Sequence, residues 1–287
     1  MQTAAYRIFE PKTVLTSVVF ASPHSGCDYP EWFIRRSLLN AHTIRSSEDA
    51  YVDQLFDGAP RFGAPFLVAL APRALLDLNR AAEELDPALI QGVRKVGHNP
   101  RVASGLGVIP RVVANGRAIY RGKMTRTEAD ERIETYWRPY HNALKGLLDS
   151  ARHRFGEAIL IDCHSMPREA VASATRRGGP QPEIVLGDRF GAAADVELVD
   201  QIEAAFLKAG FVVSRNTPFA GAYVTQHYGR PLKAQHAIQI EIDRSLYMDE
   251  ATIQPHADFE SFRVRLTEVV SQIARLGQPD ANSLAAE

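Results

Sequence analysis

Three apolar runs in this chain lead straight into polar, chemically capable residues, and that repetition constrains the fold more than any other feature. "VLTSVVFASPHSG" runs from Val14 into His24, "AILIDCHSMP" runs from Ala158 into His164, and "HAIQIEIDRSLYMDE" carries Glu241 and Asp243. Short, uniformly apolar runs bounded by turn signals read as buried strands of a largely parallel sheet covered on both faces. Open α/β sheets place reactive groups where their strands end. A strand that discharges into Pro-His-Ser-Gly therefore marks the rim of a site, and partners for His24 are to be sought at the other strand ends.

The predicted strands are Val14–Ala21, Pro65–Leu70, Ala74–Leu78, Ala158–Asp162, Phe211–Ser214 and Ala237–Ile242, and amphipathic helical stretches alternate with them. Such alternation predicts a layered α/β sandwich. The clearest helix starts at "TRTEADERIETYWRPYHNALKGLLDSARHRFG", where Thr125 and Glu128 have capping-box spacing and Gly156 is a stop. Pro139 should kink that helix or split it in two. A second helix is predicted to end at Gly210 and a third at Gly277. "TRRGGPQPE" (Thr175–Glu183) reads as a surface loop, and the polar residues 278–287 as a frayed tail. No repeat and no composition shift appears, so the expectation is a single domain over residues 1–287.

The formal net charge of −1 offers no basic surplus for nucleic acid or an anionic membrane surface, so neither is expected as a partner. No apolar run approaches the roughly 20 residues of a membrane helix, and the N-terminus lacks the pattern of a signal peptide. The two cysteines, Cys27 and Cys163, imply no disulfide framework, and a reducing cytoplasm is the expected compartment.

Period-2 alternation puts Asp162 and His164 on one face of their strand and Cys163 on the other, where it fills core. Two strands of one sheet, each ending in a histidine, make His24 and His164 natural ligands for a divalent metal. In "HAIQIEIDR" the isoleucines face one way while Gln239, Glu241 and Asp243 face the other. Inside a sheet, Glu241 would be a carboxylate in low dielectric, costly without a metal, cation or proton beside it; on an edge strand it would simply be solvated. Asp77-Leu-Asn-Arg80 is read as a strand end, with Arg80 suited to an anionic substrate and a structural hydrogen-bonding pair as the plainer alternative. Asp49 and Asp53 fall on one face of a helix if one starts at Ser46 or Ser47, with Ser47 as a plausible N-cap.

Taken in order, "SPHSG", "EDAYVDQLF", "DLNR", "YWRPYH", "IDCHS", "LGDRFG" and "HAIQIEIDRSLYMDE" resemble the N-formylglutamate amidohydrolase family, itself similar to the zinc carboxypeptidase and aspartoacylase group. The resemblance spans most of the chain. It implies a three-layer α/β/α sandwich, zinc-exopeptidase-like, with a central mixed, mostly parallel sheet. It also implies a hydrolase that removes a formyl or other small acyl group from an N-acyl amino acid, using zinc or another divalent metal, within amino-acid catabolism such as histidine degradation. By motif, His24, Asp49 and His164 would be metal ligands and Glu241 the general base. Asn79 and Arg80 would hold a substrate carboxylate. The related carboxypeptidases place a Glu three residues after the first His; here that position is Cys27, so Glu48 and Cys27 stay open beside Asp49 as the third ligand. Arg121 and His227 are alternative donors to a substrate oxyanion. Arg244 joins the substrate-binding candidates, because "EIDRSLY" is read as a departure from the formylglutamate-acting members that leaves acyl group and amino acid open. Two rivals remain: the same ligand set serves non-haem iron oxygenases, against which the helix content argues, and a degenerate amino-acid-derivative binder, against which Glu241 argues.

Overall fold

The computed structural model describes residues 4–94, 99–174 and 181–279. Its main sheet has seven strands in the order β1 (Tyr6–Phe9), β3 (Phe66–Ala69), β2 (Val18–Ser22), β4 (Ala158–Met166), β7 (Gln235–Asp243), β5 (Ile184–Gly187) and β6 (Val213–Arg215). β2, β4 and β7 run parallel, β5 lies antiparallel to β7, and β6 is parallel to β5. The result is a mixed, mostly parallel α/β sheet flanked by helices. Every residue of β2, β4 and β7 is buried, the polar residues of β4 and β7 included.

Several strand expectations change. β4 does not stop at Asp162, because pairing with β7 continues to Met166↔Asp243 and carries His164 inside the strand. Ala74–Leu78 is not a strand: it is a turn-rich segment whose apolar residues are buried, and burial alone cannot tell a packed turn from a strand. The strand predicted over Phe211–Ser214 forms as Val213–Arg215, and β1 and β5 had no prediction. The loop at Thr175–Glu183 falls outside the described residues over 175–180, as does the tail from 280 onward.

The chain divides into two compact units. The first comprises Met1–Arg7, Pro23–Ala50 and Val68–Ala143, and the second Ile8–Ser22, Tyr51–Leu67 and Leu144–Glu287. In the first, regular structure is sparse. Thr125 caps the helix Arg126–Arg132 by accepting the Glu128 amide (3.2 Å), as the capping-box spacing predicts. Pro139 splits the helix by way of a π turn, Ile133–Trp137, in which the Arg138 amide reaches back five residues to the Ile133 carbonyl; a second α segment, Arg138–Phe155, follows. A proline ring crowds the preceding turn and donates no hydrogen bond, and the wider π turn accommodates both defects. The buried Arg132 guanidinium lies 5.1 Å from Trp32, 5.5 Å from Tyr120 and 5.7 Å from Phe33, and donates to the Leu75 carbonyl and the Tyr120 hydroxyl.

In the second unit, Val196–Lys208 and Phe259–Leu276 pack on one another and on the sheet. Phe259, Phe262, Leu266, Val269, Val270 and Ile273 form the buried stripe of the last helix, each worth about 1.5–3 kcal/mol of burial. Gly156 and Gly210 end their helices in the left-handed conformation (φ 82° and 81°). Gly277 does not; its carbonyl accepts the Ser17 amide, and a Cβ there would sit 2.3 Å from Ser17 Oγ, so glycine is required for close approach. Among the described residues no helix is long and apolar enough to cross a membrane.

The glycine of Pro-His-Ser-Gly has the same kind of reason. A Cβ on Gly26 would lie 2.2 Å from the Ala71 carbonyl oxygen and 2.8 Å from Leu70 C, because the chain leaving His24 runs against that backbone. Neither obstacle is a side chain that can swing away. Gly26→Ala is therefore expected to destabilise the protein by about 1–3 kcal/mol, the usual range for overpacking. Urea unfolding checks this, and an unchanged midpoint contradicts it.

Candidate active site

The first unit carries a turn built around Asp77. His24 lies two residues beyond β2, and its Nε2 meets Asp77 Oδ1 at 2.7 Å. The same oxygen accepts the Asn79 amide (2.8 Å), which closes the "DLNR" turn, while Oδ2 accepts Arg73 Nε (3.0 Å). Burial would raise the Asp77 carboxyl, but His24, Arg73 and Arg80 outweigh it and hold the group well below the ordinary carboxylate range. Asn79 and Arg80 therefore belong to a buried polar turn rather than to the predicted strand end. Arg80 is 5% exposed, its Nε lies 4.0 Å from Asp77 Oδ2, and that Nε makes no hydrogen bond among the described residues. Burial pulls its pKa down from the ordinary value. Two aromatic donors hold the turn's backbone: Trp137 Nε1 donates to the Arg80 carbonyl and His141 Nε2 to the Leu78 carbonyl, both at 2.9 Å.

Asp49 is also buried, and its amide donates to the His24 carbonyl at 3.0 Å. It does not sit on a helix capped by Ser47. Ser47 ends a 3-10 turn (Thr43–Ser47), and Glu48 follows in extended backbone. The physical reason is the Glu48 side chain, which accepts Arg45 through both oxygens (3.0 and 2.9 Å) and the Tyr29 hydroxyl (3.1 Å), fastening the turn closed. Burial, and then Glu48, push the Tyr29 pKa upward.

The second unit carries four neighbouring strand positions, two on β4 and two on β7. Register pairs Asp162 with Gln239 and His164 with Glu241 across β4 and β7, and paired residues project from the same face. His164 Nε2 lies 3.1 Å from Asp162 Oδ2. Glu241 sits on an interior strand, not an edge, and Gln239 Nε2 donates to its Oε1 at 2.7 Å. Arg244 follows the end of β7, is buried, and donates from Nε to Ser165 Oγ at 3.1 Å. Cys163 faces the core as expected, where burial and then Asp162 raise its thiol pKa well above the ordinary value.

His24, Asp49 and His164 come together: one ligand-capable atom from each lies within 4.8 Å of the others, and all three residues are buried. Parallel pairing of Ala21 with Asp162 sets the ends of β2 and β4 side by side, and each histidine lies just beyond that pair. Cys27 is exposed and outside this group, and the Glu48 oxygens are taken by Arg45 and Tyr29. Arg121 and His227 are both exposed, and the His227 ring stacks on Tyr223 at 5.0 Å. The sequence pattern assigned no role of their own to Asp77, Asp162, Gln239, Trp137 and His141. For Asp162 a signal existed, its i,i+2 spacing from His164 on one strand face; for Trp137 and His141 it was only membership of "YWRPYH".

Comparison with known proteins finds relatives over most of the chain. A family model for N-formylglutamate amidohydrolase matches residues 16–248. The chain is 31% identical over 268 residues to an N-formylglutamate deformylase of Pseudomonas aeruginosa (91% of this chain, 94% of that one). It is 29% identical over 236 residues to one of Pseudomonas putida (81% and 82%). A crystal structure of N-formylglutamate amidohydrolase from Ralstonia eutropha superposes with a TM-score of 0.90 at 33% identity, covering 96% of this chain and 99% of that one. A gene product of Agrobacterium tumefaciens shares the fold at 16% identity and a TM-score of 0.64. Fold and relatives together define a hydrolase of amide bonds. More narrowly, the chain belongs to the N-formylglutamate amidohydrolase family.

The two aromatic donors behind the "DLNR" turn can be tested directly. Trp137→Phe and His141→Phe each leave a buried carbonyl without its donor, which costs about 1–3 kcal/mol. Chemical denaturation should show both losses, and wild-type stability in either variant contradicts the buttressing role.

Proposed function

We propose that the protein is a metal-dependent amidohydrolase that removes a formyl or other small acyl group from an N-acyl amino acid such as N-formyl-L-glutamate. The observation that carries this reading is the buried convergence of His24, Asp49 and His164, with Glu241 in register beside His164. Two imidazoles and one carboxylate are a donor set that suits zinc or another divalent cation and leaves room for further ligands. Asp162 supports the fit. It is fully buried, and neither of its oxygens makes a hydrogen bond among the described residues, so a cation held by the adjacent His164 would offset its charge. The names of the Pseudomonas relatives support formylglutamate as the substrate.

A divalent cation bound there supplies Lewis acidity toward the amide carbonyl and lowers the pKa of a coordinated water, to about 7 for zinc. Glu241 takes the proton of the attacking water on its carboxylate and returns it to the departing amine nitrogen. Gln239, donating to Oε1, fixes the orientation of that carboxylate. Arg80 binds the α-carboxylate as a planar fork, steadied by Asn79, and Arg244 is a second buried guanidinium for an acidic substrate. Arg121 or His227 donates to the carbonyl oxygen as charge develops on it. The family match runs through both units, which supports reading residues 1–287 as one functional domain. Cys27 and Cys163, one exposed and one buried, fit a cytoplasmic setting.

Metal analysis of the purified protein, followed by assay against N-formyl, N-acetyl and N-succinyl amino acids, tests the proposal. Chelation should abolish turnover and zinc restore it; a metal-loaded protein inert toward the whole panel would instead favour the binding-protein alternative. Glu241→Gln should keep fold and metal yet lose roughly 10²–10⁴ in turnover, the range for removing an acid–base group. Near wild-type turnover in that variant removes Glu241 from the role. Arg80→Ala should raise KM about tenfold or more, since a charged hydrogen bond contributes about 1.5–3 kcal/mol. Equal discrimination by wild type and Arg80→Ala between an N-acyl amino acid and its α-amide would show that Arg80 does not read the carboxylate.

A further inference from the structure

We infer that Asp77 is a positioning residue that ties the metal-ligand histidine to the substrate-binding arginine, so that one carboxylate sets both ends of the site. The inference rests on the reading of His24 as a ligand and Arg80 as the carboxylate clamp. Asp77 is 2% exposed, and each of its oxygens has a separate task. Oδ1 meets His24 Nε2 at 2.7 Å and accepts the Asn79 amide at 2.8 Å. Oδ2 accepts Arg73 Nε at 3.0 Å and lies 4.0 Å from Arg80 Nε.

The consequence for His24 is chemical. A carboxylate only accepts, so Nε2 donates its proton to Asp77, and with a cation held at the site Nδ1, the nitrogen that faces Asp49 Oδ2 at 3.5 Å, would offer it the lone pair. Carboxylates placed behind ligand histidines in this way set ring orientation and raise ligand basicity. The consequence for Arg80 is positional. Asp77 draws the root of the guanidinium toward the turn without capturing it, since Arg73 takes the close contact. The fork remains available to a substrate carboxylate while its approach angle is set. The Asx turn from Oδ1 to the Asn79 amide makes the coupling short, because His24 and the backbone before Arg80 share one oxygen.

The test uses the full-length protein with Asp77→Asn, which keeps shape and removes charge, and Asp77→Glu, which keeps charge and shifts its place. Urea unfolding of each variant establishes that it is folded. Zinc affinity, measured by chelator competition, should fall about 10–100-fold in Asp77→Asn, the range for removing such an outer carboxylate, with partial recovery in Asp77→Glu. With zinc held saturating, KM for N-formyl-L-glutamate should still rise severalfold in Asp77→Asn, and kcat should change less. Imidazole nitrogen NMR of the zinc-loaded wild type should show a protonated Nε2 on His24. A protonated Nδ1, or wild-type zinc affinity in a folded Asp77→Asn, overturns the inference. A KM that returns to the wild-type value at saturating zinc overturns the link to Arg80. If His24→Ala binds zinc as tightly as wild type, the ligand assignment itself has failed. A zinc-binding wild type that hydrolyses no N-acyl amino acid fails the proposed activity instead, and the His24 proton still decides whether Asp77 orients the ring.

Discussion

The parallel pairing of β4 with β2 and β7 is the constraint on which the rest of the chemistry depends. Pairing Ala21 with Asp162 aligns the ends of two strands, and pairing His164 with Glu241 sets a candidate ligand beside a candidate base. Side chains on a strand alternate with period two, so a slip of one residue would turn His164 into the opposite layer and bring Cys163 into its place. The apolar residues that alternate with these polar ones, Ile161, Cys163, Ile238, Ile240 and Ile242, are all fully buried. Hydrophobic burial thus enforces the register, and the register delivers the polar face.

Burying charge in such a sheet is costly unless every charged group has company. The protein meets that demand differently at each acid. Glu48 is closed off by Arg45 and Tyr29 and so acts as a fastener for the turn that presents Asp49. Asp77 is shared between a histidine, an arginine and a backbone amide. Glu241 accepts from Gln239, whereas Asp162 lies 3.1 Å from His164 Nε2 and makes no hydrogen bond among the described residues.

A helix defect also serves the site. The π turn before Pro139 precedes the segment that carries His141, while Trp137 closes that turn. Both donate to carbonyls of the turn that bears Asn79 and Arg80. In a regular α-helix the proline ring would crowd the carbonyl of the preceding turn, and the wider π turn gives it room. π turns recur at functional positions for this kind of reason.

From the sequence alone came the strand character of β2, β4 and β7, the cap at Thr125, the two histidines and Glu241, because burial pattern and capping chemistry are local and written in residue type. The family resemblance added Asp49, Asn79 and Arg80. Local pattern could not tell the packed turn at Ala74–Leu78 from a strand, since both are simply apolar. Nor could it choose between Glu48 and Asp49: that Glu48 is held by Arg45 and Tyr29 is a matter of side-chain reach, which spacing does not record. Asp77 lies 53 residues from His24 in the chain, and Trp137 lies 57 residues from Arg80. Contacts of that separation leave no periodic trace in a sequence, because they are made only when the folded backbone carries the two partners within hydrogen-bond reach.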